Sequence, residues 1–187
     1  MAKPVILPRQ EIVDRLFELF RSSGFEAVSL SDISRATGLG RSSLYHHFPG
    51  GKEDMLAAVL DRASAAIDAA LLAPLRSQEP HERRIDAMLV GIERLYGGGA
   101  QPCLIASLLL GRFRQPLAAR VRALLAGWID GLTQALIDAG LPEASARARA
   151  EASVGQVQGA LVVARALDDP APFQRMLRRV RDELTAA

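Results

Sequence analysis

Between Ser29 and Phe48 the chain has room for two short helices and nothing else, and this stretch constrains the fold more than any other. Ser29-Leu30-Ser31-Asp32 reads as a capping box: Ser29 accepts from an early amide, and Asp32 reaches back to the positive end of the helix. Gly38 stops that helix. A second one runs from about Arg41 to Phe48, where Pro49-Gly50-Gly51 ends it. Two short helices joined by Thr37-Gly38-Leu39-Gly40 have the form of a helix-turn-helix, in which the helices cross steeply and glycine takes the left-handed turn conformation.

The surrounding sequence agrees with this. Ile12, Val13, Leu16, Phe17, Leu19 and Phe20 recur at helical spacing between Pro8 and Gly24. Later helices are expected over 52–72 (closed by Pro74), 80–96, 103–112, 115–139, 142–167 and 171–184. No stretch alternates with period two between turn pairs, so no sheet is expected and the fold class is all-α.

Ile33, Ala36, Leu39, Leu44 and Phe48 can point inward together. That leaves Arg41, Ser42, Ser43, Tyr45 and His46 outside, with His47 at the edge. Hydroxyls, phenol and imidazole reach phosphate oxygens at small entropic cost, and arginine also reads guanine in the major groove. Lys52 opens the next helix, whose free amides attract a phosphate. The net charge of only +2 over 187 residues requires any nucleic-acid surface to be local, as this one is. Adjacent histidines diverge by about 100° on a helix, and no Cys, Asp or Glu completes a set, so no metal site is expected.

FELFRSSGFEAVSLSDISRATGLGRSSLYHHFPGGKEDML, residues 17–56, resembles the TetR (tetracycline-repressor-type) family of transcriptional regulators. The resemblance implies DNA contacts from Ser29, Arg41, Ser42, Ser43, Tyr45, His46 and Lys52. Gly40 departs from it, standing where a Ser or Thr cap is common, and FPGGKE is one residue longer than the usual FxxKE. PGGKE and PCLIASLLL also resemble the LmrA/YxaF-like subgroup, repressors linked to drug export.

The resemblance further implies a helix-turn-helix domain at 1–52 and a ligand-binding and dimerisation domain at 53–187. The expected protein is a cytoplasmic homodimeric repressor on a near-palindromic operator, released by a small, largely apolar effector. The pocket candidates are Met88, Ile92, Tyr96, Cys103, Leu104, Leu108, Phe113 and Trp128, which offer flat and adaptable apolar surface. Glu93 and Asp130 read as solvated or salt-bridged charges, with a role toward a cationic ligand as the alternative.

The helix at 142–167 is apolar on most sides and must be covered from more than one direction. With the amphipathic final helix it forms a candidate two-fold four-helix bundle, in which Gly155, Gly159, Val163, Phe173 and Leu177 meet the second subunit.

Other classes find less support. There are no paired carboxylates on an apolar helix face, no Cys–His nucleophile and no metal set, so no enzyme and no cofactor are expected. The Gly97–Gly99 run lacks the Gly-Lys-Ser/Thr of a phosphate loop and reads as a hinge or loop. The single cysteine, Cys103, excludes an intrachain disulfide and reads as a buried small hydrophobe. No signal peptide or membrane span is legible. A helical module that docks another protein remains the rival to DNA binding.

Overall fold

The computed structural model describes residues 7–109 and 115–186, and every regular element among them is helical. The head is built from α1 (Arg9–Ser23), α2 (Leu30–Thr37) and α3 (Arg41–His47). Pro8 caps α1, and its buried stripe is Ile12, Val13, Leu16, Phe17 and Phe20. Burial of each large side chain in this stripe stabilises the head by about 1.5–3 kcal/mol. The head packs on α4 (Lys52–Ile67), the long helix that leads into the body.

The helical run expected over 52–72 ends at Leu75, one residue past Pro74, and it is not a single α-helix. The chain continues through a π turn at Asp68–Leu72 into α5 (Ala73–Leu75). Proline has no amide hydrogen to give the preceding turn; the turn widens, and the Ala73 amide reaches back to the Asp68 carbonyl. α6 (His81–Leu95) crosses this widened turn at Gly91, where a Cβ would lie 2.0 Å from the Ala70 carbonyl oxygen. Only glycine permits that approach.

The rest of the body comprises α7 (Leu104–Leu109), α8 (Gln115–Asp138), α9 (Glu143–Leu167) and α10 (Ala171–Thr185). α8 and α10 flank α9, and α10 also packs on α6. One apolar core runs from Leu7 in the head to Leu184 in α10. Gly97–Gly99, read from sequence as a loop, forms a short 3-10 turn that packs against α10. No helix among the described residues is long and apolar enough to cross a membrane.

Candidate nucleic-acid interface

The head presents an exposed polar face on α3. α2 is held by the expected capping box: the Ser29 hydroxyl accepts from the Asp32 amide at 3.2 Å, and the Asp32 carboxylate accepts from the Ser29 amide at 3.0 Å. Ser29 also donates its hydroxyl proton to that carboxylate at 2.6 Å, so the proton is committed within the cap. The bonds from Ser29, and then the Arg35 guanidinium, hold the Asp32 carboxyl below its usual range.

Gly38 ends α2 in the left-handed conformation at φ 73°. The turn has a lock that the sequence reading missed. The buried Thr37 hydroxyl donates to the Ile33 carbonyl at 2.7 Å and accepts from the Leu39 amide at 3.3 Å. Arg15 of α1 then binds the Thr37 carbonyl at 3.1 Å, tying the turn to the first helix. The signal was present: a threonine four residues after Ile33 and one before the glycine stop is placed to make both bonds.

Leu44 and Phe48 anchor α3 in the core at 1% and 0% exposure. Arg41 and Tyr45, four apart, share one edge, and Ser42 and His46 share the next. All four are exposed, as is Ser43. Among the described residues the side chains of Arg41, Ser42 and Ser43 make no hydrogen bond or ion pair. Arg9, which the sequence reading did not nominate, lies over the Phe48 ring at 5.2 Å and adds a cation at the end of α3.

The extra glycine of FPGGKE has a structural role. Gly51 caps α4 at φ 69°, ψ −136°, a conformation that side chains disfavour, and the Tyr45 ring packs directly over it. Lys52 opens α4 as expected, but its ammonium is turned back over the Phe25 ring at 4.4 Å. Partial burial there lowers the lysine's pKa, while Glu26 acts the other way. The imidazoles of His46 and His47 stand 5.7 Å apart at 73°, and the described residues contain no cluster of three or more groups that could hold a metal.

The body separates the pocket candidates into two sets. Tyr96, Cys103 and Leu104 line a small cavity of about 40 Å³ beneath α1, and Cys103 also lines an open groove of about 590 Å³. The Tyr96 hydroxyl donates to Cys103 Sγ at 3.4 Å, and burial first, then Cys103, raises the phenol's pKa. Met88, Ile92, Leu108 and Trp128 line neither space; they are core residues. Phe113 lies outside the described residues. Glu93 accepts from Gln174 at 3.0 Å and Asp130 pairs with Arg147, so both are engaged surface charges.

The interface candidates also divide. Gly155, Gly159 and Val163 are exposed on α9. Phe173 and Leu177 are corrected to the core of the protomer: Phe173 is fully buried, edge-on to Tyr96 and pressed against Gly99, and Leu177 is 7% exposed. The amphipathic face of α10 has its partner within the same chain.

A head of this form, with a free polar face on the second helix of a helix-turn-helix, defines a DNA-binding regulator joined to a helical body. Residues 12–59 match the N-terminal model of bacterial regulatory proteins of the tetR family, and residues 96–179 match the LmrA/YxaF-like C-terminal domain of transcriptional regulators. The chain belongs to the TetR family of transcriptional regulators.

An uncharacterised HTH-type transcriptional regulator of Mycobacterium tuberculosis is 28% identical over 184 residues, covering 96% of this chain and 95% of that one. LmrA of Bacillus subtilis is 38% identical over 47 residues, a quarter of each chain. A TetR-family regulator from Agrobacterium tumefaciens superposes with a TM-score of 0.80 at 26% identity, covering 96% of this chain and all of that one. A TetR regulator from Legionella pneumophila superposes with a TM-score of 0.82 at 21% identity, over 95% and 97% of the two chains.

Proposed function

We propose that this chain is a cytoplasmic homodimeric repressor that binds a near-palindromic operator and is released by a small effector. Residues 1–52 are the DNA-binding part and 53–187 the effector-binding and dimerisation part. The observation that carries the reading is the α3 face, where Arg41, Ser42, Ser43, Tyr45 and His46 are exposed and the first three hold no intramolecular bond. Arg41 and Tyr45 reach base edges and phosphates, and Ser42, Ser43 and His46 extend the contact. Lys52 and Arg9 supply charge at the margins, Lys52 after leaving the Phe25 ring. Ser29 acts by fixing α2.

Dimerisation is supported by α9. Ala148, Ala152, Gly155, Gly159, Val162 and Ala166 are all exposed and spaced 4-3-4-3-4, the spacing of a seam between two helices. Val162, Val163 and Leu167 are 68%, 46% and 64% exposed, a concentration of apolar surface that a second α9 would cover. Two heads related by that two-fold would enter successive major grooves, about 34–36 Å apart or slightly more.

The effector acts only through its different affinity for the DNA-bound and free arrangements of the heads. Selection of binding sites from random duplexes tests the reading: it predicts enrichment of a two-fold symmetric site. Enrichment of no sequence, or of an unpaired half-site alone, overturns it.

A further inference from the structure

The groove of about 590 Å³ lies between α7 and α9, and its size suits a small molecule. Its wall on α9 is Gln158, Leu161, Val162 and Arg165. Those positions fall at i, i+3, i+4 and i+7, so they form one face, about 10 Å from first to last. The middle of the face is apolar and both ends carry donors. The Gln158 amide nitrogen is buried beside the Tyr96 hydroxyl, without a hydrogen bond of full geometry. Among the described residues the exposed Arg165 guanidinium makes no hydrogen bond or ion pair.

Pro102 and Cys103 line both this groove and the small cavity beneath it. That cavity is lined by Arg21, whose side chain is 10% exposed and whose Nε–H lacks a partner. Among the described residues no aspartate or glutamate lines either space. A buried donor without an acceptor is costly, and an acceptor carried by a ligand recovers that cost.

We propose that the groove binds an amphipathic carboxylic acid. Arg165 holds the carboxylate at the mouth, the apolar body lies over Leu161 and Ala106, and the far end approaches the Gln158 amide. A lipophilic cation finds no counter-charge there and is disfavoured. This deepens the effector-binding role proposed above and rests on it. Gly159, Val162 and Ala166 belong both to the groove and to the exposed α9 seam, so pairing of two subunits would wall one side of the site.

Calorimetry on the free protein tests this, with decanoate, decanol and decyltrimethylammonium below their micellar concentrations. Sedimentation checks that each variant keeps the wild-type assembly state. Decanoate is expected to bind one per chain, about tenfold or more tighter than the cation. Arg165→Gln should weaken decanoate about tenfold and leave decanol unchanged. Arg165→Glu should reverse the preference between the two charged probes.

Equal binding of the two charged probes, or an unchanged decanoate affinity in Arg165→Gln, overturns the proposal. So does the absence of any decanoate binding, which would mean that a second subunit fills the groove. Because no DNA is present, failure of operator binding leaves this result standing, and failure here leaves the operator result standing.

Discussion

The residues of the head divide into those that hold it and those left free, and hydrogen bonding makes the division. Ser29, Asp32 and Thr37 spend their polar groups inside the head, whereas Arg41, Ser42 and Ser43 spend none. Ser29→Ala is therefore expected to lower stability by about 1 kcal/mol, measured by urea unfolding at fixed protein concentration, and to weaken DNA binding only through loss of folded head. The Asp32 carboxyl is depressed below 3.8, so its contribution is present above that pH and is lost as pH falls through the lower folded value. The deficit of Ser29→Ala should accordingly shrink in acid; a deficit constant down to the acid transition would contradict the capping account. Arg41→Ala should instead leave stability unchanged and cost about 1–3 kcal/mol of operator binding, read by fluorescence anisotropy.

At the scale of elements, the capping box, the Gly38 stop and most helix ends were legible in the sequence because each is written in the residues at the end itself. Lys52 was placed correctly on α4 but its direction was not, because Phe25 lies 27 positions away in sequence and meets it only in the fold. The π turn between α4 and α5 was illegible for a related reason. A proline predicts a stop unless the turn before it can widen, and that widening is met by Gly91 on another helix. Gly91→Ala puts a methyl group onto the Ala70 backbone and should cost about 3 kcal/mol or more in urea unfolding. A loss near the few tenths expected of an exposed helix position would show that α6 does not press on the widened turn.

For the whole molecule, the sequence showed that the 142–167 helix must be covered on several sides without showing which side faces which neighbour. Phe173 and Leu177 have the periodicity of an interface, yet α10 turns them into its own chain, against the Gly97–Gly99 turn and α6. The surface left over is the 4-3-4-3-4 seam of α9, which small residues made hard to distinguish from an ordinary core stripe. Val162→Glu places a charge on that seam, where a close helix pair would have to desolvate it. It should shift sedimentation toward monomer and weaken operator binding together; a variant that stays dimeric with full DNA affinity would place the interface elsewhere.

The most direct test of the central claim is the affinity of a selected duplex for the wild type and for the Arg41→Ala/Tyr45→Ala double variant, measured by anisotropy over a series of salt concentrations. The account predicts wild-type binding that falls steeply with salt, and a folded double variant weaker by about a hundredfold with a shallower slope. A folded double variant that binds the same duplex with wild-type affinity would contradict it.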